Sequence, residues 1–218
     1  SGRLLHNQAI YIWQQVAGLL WIHTLMRNIK NVSLKLWRLS MEYKEKPKDS
    51  AHHAAVMVLY ERKTDSIILT KRSERLRFHP GEICFPGGAW EEGDKDLYTT
   101  ALREMQEEIG IDSERVTLIR PLSIQQTLLG SIIHPWFGSI ETIIPYQLNP
   151  NEVTRLVIVP MSLVCSLDNY REVLVERGRF RFKSWEFNYA QEWIWGATAK
   201  IMRQLASSKS VGLPDTNY

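Results

Sequence analysis

TALREMQEEIGI, residues 100–111, is the stretch that organises the rest of the chain. On a helix at 100° per residue with Glu104 at zero, Glu108 falls near 40° and Glu107 near 300°, an arc of about 100°. Leu102, Met105 and Ile109 fall between about 100° and 160° and face a core. The helical period runs from 97 to 109. Gly110 stands where a left-handed closing residue belongs, and Asp94 or Asp96 is placed to cap the start. Like charges three and four residues apart weaken a helix slightly, so the carboxylate cluster needs a reason. A hard divalent cation with oxygen ligands supplies one. A solvated face on which Arg103 pairs with Glu107 is the plainer alternative, and the helix alone does not choose between them.

Upstream lies FPGG, residues 85–88, where two glycines allow a sharp turn and bring backbone close to a metal or phosphate without a Cβ in the way. Before it, HAAVMVLYE (53–61) and SIILTKR (66–72) read as a strand hairpin, followed by the charged loop SERLRFHPGE. Downstream, strands are expected over 116–124, 132–140, 155–159 and 179–187, and a closing helix over about 193–205. Strands mixed with two or three helices predict an α+β or layered αβα domain.

Glycines, a loop and then REMQEEIG together resemble the Nudix box, GX5EX7REUXEEXGU with U apolar. Two departures stand out: Gly88 and Arg103 are one residue further apart than usual, and Lys95 occupies the place of the first glutamate. ILTKRSERLRFHPGEICFPGG, residues 68–88, resembles the signature of the coenzyme A pyrophosphatase family within the Nudix superfamily. That family tolerates a longer box lacking the early glutamate, with an Asp where Asp94 stands. NPNEVTRLVIVPMSLV (149–164) and EWIWGATAKIMRQLA (192–206) are similar to its downstream elements, so the resemblance covers about residues 51–207. It implies a Nudix αβα sandwich with a mixed sheet and a loop-helix-loop box. The implied reaction is cleavage of coenzyme A or acyl-coenzyme A to 3′,5′-ADP and 4′-phosphopantetheine or its acyl form. Other Nudix substrates (ADP-ribose, dinucleoside polyphosphates, damaged nucleoside triphosphates) stay open, as does a non-catalytic nucleotide-binding module. Retention of Arg103, Glu104, Glu107 and Glu108 argues against the last.

A pyrophosphate diester resists water because its charge repels nucleophiles and its leaving phosphate needs stabilising; Mg²⁺ or Mn²⁺ answers both. The resemblance assigns Glu104, Glu107 and Glu108 as metal ligands, with the Gly88 carbonyl as a further one. Glu104 or another box glutamate serves as general base, and Arg103 orients a glutamate, a task that suits a guanidinium fork. Glu152 is a candidate additional carboxylate or an ordinary turn residue. Lys71, Arg72, Arg77 and His79 are candidate substrate-binding groups; without the resemblance they read as a solvated loop. Cys84 reads as packing.

Two cysteines, Cys84 and Cys165, match no metal-ligand spacing and exclude a disulfide framework. A net charge of +3 gives no case for nucleic acid. Residues 1–41 hold five basic side chains and no acidic one, whereas the remainder holds 22 basic and 24 acidic. This N-terminus reads as an amphipathic helix, with Ile12, Trp13, Val16, Leu19 and Leu20 on one face, that packs on the domain or a partner, binds a membrane surface or acts as a transit peptide. MEYKEKPKDS (41–50) reads as a linker. The expected organisation is therefore a basic extension over 1–50, a Nudix hydrolase domain over 51–207 and a tail over 208–218. An intracellular address is expected, cytoplasmic or organellar, with mitochondria an option. Homodimerisation is open.

Overall fold

The structure, a computed structural model, describes residues 53–127, 130–177 and 180–207. The expected N-terminal helix, its linker and the C-terminal tail lie outside these residues. In chain order the elements are β1 (His53–Glu61), β2 (Ser66–Arg72), β3 (Ile83–Cys84), β4 (Gly87–Ala89), α1 (Leu97–Ile109), β5 (Thr117–Pro121), β6 (Gln125–Gln126) and β7 (Ile132–Ile140). β8 (Val153–Pro160), α2 (Met161–Val164), β9 (Tyr170–Arg177), β10 (Phe180–Tyr189), β11 (Glu192–Trp195) and α3 (Gly196–Ser207) follow.

β1 is the centre of a mixed eight-stranded sheet. It is apolar along nearly its whole length, as a strand covered on both faces must be. On one side it pairs in parallel with β7 from His53↔Ile132 to Glu61↔Ile140. The other side is shared. The end of β1 pairs with β2 (Leu59↔Ile68 to Glu61↔Ser66) and its beginning pairs with β4 (Ala54↔Ala89 to Val56↔Gly87). Beyond Ile68, β2 bonds β3 in place of β1, while β8 pairs with β2 along its other edge from Ser66 to Arg72. The FPGG turn enters where the two strands part, and the Met57 amide donates to the Pro86 carbonyl at 2.8 Å.

Alternation along β1 divides the core. Val58 joins Ile67, Leu69, Phe137, Val157 and Val159 of neighbouring strands, with Ala199, Met202 and Leu205 of α3, in one buried cluster. Ala55, Met57 and Leu59 are fully buried outside that cluster, on the α1 side, where Ala101, Met105 and Ile109 are also fully buried. Helices on both faces of a mixed sheet give the layered α+β sandwich expected from the sequence.

β1, β2 and β7 have the bounds their sequence predicts, and α1 spans 97–109 with Asp96 accepting from the Thr99 amide and Gly110 at φ 65°. Two expectations shift. The helix expected from 193 begins at 196, because residues 192–195 pair with β10 from Tyr189↔Glu192 to Glu186↔Trp195. Strand structure expected over 116–124 ends at Pro121 and resumes in the two-residue β6. β9, YREVLVER, was not expected as a strand. Its outer side chains pair with β10 through Glu172–Lys183 (2.6 Å) and Glu176–Arg181 (2.7 Å), so half its apparent polarity is a solvated sheet face.

Candidate active site

The turn at Gly87 and Gly88 meets α1 through its glutamates. A Cβ at position 88 would collide with the Glu104 carboxylate, so this carboxylate lies directly against the glycine backbone. Gly87 has φ 153° and a Cβ there would strike Ala55 and Val56, which makes glycine the residue that fits. The Gly87 amide donates to Glu108. The two glycines thus hold two of the three predicted carboxylates.

Glu108 is only 2% exposed. Burial pushes its carboxyl up to about 8, against the pull of Arg72, with Glu104 and Glu152 adding repulsion. Arg72 Nη1 stands 3.7 Å from Glu108 Oε1, while buried Oε2 has no hydrogen-bond partner among the described residues. Glu104 is also raised, by burial first, despite Arg103 at 3.1 Å. Glu107 is the exposed member, bonded by the same Arg103 Nη1 at 3.1 Å. Glu152 is close enough to raise both Glu104 and Glu108, and it accepts from Asn149 Nδ2 at 3.3 Å.

Arg103 is fixed from behind. Asp94, 4% exposed, takes its Nε at 2.9 Å and Nη2 at 3.0 Å in a two-pronged bond, and Nη2 also donates to the Ala89 carbonyl at 3.2 Å. Burial would raise the Asp94 carboxyl, but Arg103, the Glu91 amide and the Thr100 hydroxyl together hold it below its ordinary value. Asp94 therefore fixes the arginine, and Lys95 takes no part in these contacts. The pairing of Arg103 with Glu107, weighed above as the plainer alternative, coexists with the cluster.

Beside the two glycines opens a cleft of about 500 Å³ lined by Arg72, His79, Gly87 and Gly88 on one side and by Phe182, Trp195 and Thr198 on the other. The predicted cationic loop divides on folding. Arg72 and His79 line the cleft; Lys71 is paired with Glu192 at 3.2 Å, and exposed Arg77 lies over the Phe78 ring at 5.3 Å. His79 itself bonds Glu82 at 2.9 Å. Cys84 borders the cleft, but burial pushes its thiol up to about 11, as a packing role requires.

Among the described residues, no three His, Cys, Asp or Glu side chains converge into a closed metal cage. The donor set nevertheless fits a hard cation that keeps several waters. It offers two carboxylates with raised proton affinity, half-buried Glu104 and buried Glu108 with an orphaned oxygen, beside a glycine turn.

The family model described as NUDIX domain matches residues 51–176. The chain is 34% identical over 164 residues to the uncharacterized Nudix hydrolase NudL of Photorhabdus laumondii, covering 75% of this chain and 88% of that protein. It is 35% identical over 162 residues to NudL of Pectobacterium atrosepticum, covering 74% and 84%. Among solved structures, a Deinococcus radiodurans protein, DR0079, is 19% identical with a TM-score of 0.48, covering 74% of this chain and 90% of that one. The chain belongs to the Nudix hydrolase family.

Proposed function

We propose that this protein hydrolyses the pyrophosphate linkage of coenzyme A or acyl-coenzyme A, with Mg²⁺ or Mn²⁺, to 3′,5′-ADP and 4′-phosphopantetheine or its acyl form. The observation that carries a metal-dependent reading is buried Glu108, with one oxygen unpartnered, beside Glu104 on the Gly87–Gly88 turn. The choice of coenzyme A rests on residues 68–88, whose order of charged and glycine residues resembles the coenzyme A pyrophosphatase signature.

Glu104, Glu107, Glu108 and the Gly88 carbonyl would hold the cation, with Glu152 as a further carboxylate. The cation supplies charge neutralisation at the diphosphate oxygens and an activated water. Glu104 is the base: its carboxylate lies against Gly88, which lines the cleft, and burial raises its proton affinity. Arg103, fixed by Asp94, sets the orientation of Glu104 and Glu107. Arg72 and His79 receive the charged substrate from the cleft wall, and the 3′-nucleotide half lies against Phe182 and Trp195.

Mass spectrometry of products, with Mn²⁺ or Mg²⁺, after separate incubation with coenzyme A, ADP-ribose and a dinucleoside polyphosphate tests the reading. Release of 3′,5′-ADP from coenzyme A as the fastest reaction is expected; a clear preference for ADP-ribose overturns it.

A further inference from the structure

The closing segment EWIWGATAK gives only Trp195 to that reading, yet Gly196, Ala197, Thr198 and Lys200 also line the cleft. β11 runs into α3 without a loop, so the first turn of a 12-residue helix opens on the cavity. The leading amides of a helix lack intrahelical acceptors and carry partial positive charge. At Gly196, φ is 67° and an added Cβ would meet nothing within 4 Å, so there is room in front of the helix.

Two buried hydroxyls share this wall. Ser184 is 3% exposed and Thr198 is 9% exposed; both border the cleft, and neither hydroxyl makes a hydrogen bond among the described residues. The register explains their proximity: Glu186 of β10 pairs with Trp195, so Ser184, two residues back, runs beside the first turn of α3. Lys200, one turn on from Gly196, also lines the cleft and forms no ion pair among the described residues. Hydroxyls without protein partners, helix-start amides and an ammonium lining one space suit a group with several acceptor oxygens. The carboxylate on the cleft wall, Glu82, is engaged by His79.

We propose that the N-terminus of α3, with Ser184, Thr198 and Lys200, is an anion subsite that takes a phosphomonoester carried by the substrate in addition to its diphosphate. The proposal rests on the preceding reading for the identity of the diphosphate, and in coenzyme A the group is the 3′-phosphate. Of the candidate substrate-binding cations in the 71–79 loop, Lys71 and Arg77 are engaged elsewhere, which leaves this wall for that phosphate.

The test is the ratio of kcat/KM for coenzyme A to that for 3′-dephospho-coenzyme A, in wild type, T198V and K200A. Wild type should favour the phosphorylated substrate through KM, and each variant should reduce the ratio about tenfold, the effect of one charge-assisted hydrogen bond. A wild-type ratio near one, or a ratio unmoved in both variants, overturns the subsite. If wild type cleaves neither compound, the proposed function fails, and calorimetric binding of adenosine 3′,5′-bisphosphate against 5′-AMP then judges the subsite. Tighter binding of the bisphosphate that is lost in K200A supports it; equal binding refutes it.

Discussion

In the proposed reaction the chemistry would turn on Glu108, because a carboxyl pushed up to about 8 must lose its proton before it can ligate a cation. The affinity for Mn²⁺ should therefore weaken as pH falls from 8 to 6, by about tenfold per unit if one proton is displaced. Glu108→Gln should flatten that slope and lower turnover by about 10²-fold or more. A Mn²⁺ titration followed by electron paramagnetic resonance checks the first, steady-state kinetics the second. Asp94 makes a different prediction, since it touches Arg103 and the loop rather than the diphosphate. Asp94→Ala should destabilise the fold by about 2 kcal/mol, read from urea unfolding, because the half-buried guanidinium loses its two-pronged partner. It should also depress kcat more than KM, as Arg103 no longer holds Glu104 and Glu107 in place.

At the scale of elements, the meeting of the glycine turn with α1 sets the site. Gly88→Ala should leave unfolding nearly unchanged but lower kcat by about tenfold or more, since the added methyl displaces the Glu104 carboxylate. Circular dichroism and kinetics on the same preparation separate these effects. α1 was legible in the sequence to its caps because its period, Asp96 and Gly110 are local signals. Placement of the glutamates on one arc followed from the same periodicity. The fate of the cationic loop was not legible: Lys71 is drawn to Glu192, 121 residues away, and no local spacing encodes such a partner. Nor was β11, whose WIW triplet suits a helix face as well as a strand until β10 is there to pair with it. Asp94 was visible as a candidate cap and as a match to the family's longer box; its grip on Arg103 is seen only in the folded chain.

At the scale of the molecule, two buried groups shape the response to pH. His134, stacked on His53 at 5.2 Å, is driven by burial, and secondarily by His53, down to about 4. Its folded value lies below its unfolded one, so its stabilisation is present above about 6.5 and lost as pH falls toward 4. Glu108 has the opposite sign: its folded value is raised, so its contribution is fullest below about 4.5 and is lost as pH rises toward 8. Without divalent metal, thermal stability should therefore peak in mildly acid solution. Saturating Mn²⁺ should lift the alkaline side, and Glu108→Gln should do so without metal; melting curves across pH with chelator and with Mn²⁺ decide. The parallel bond between β1 and β7 has a consequence for the birth of the chain. The two strands lie 79 positions apart along the polypeptide, and β2 waits still longer for β8. A ribosome must release the segment through Pro160 before the central sheet can close, so the nascent protein passes through a stage with its apolar strands uncovered and depends on rapid completion or chaperone shelter to avoid aggregation.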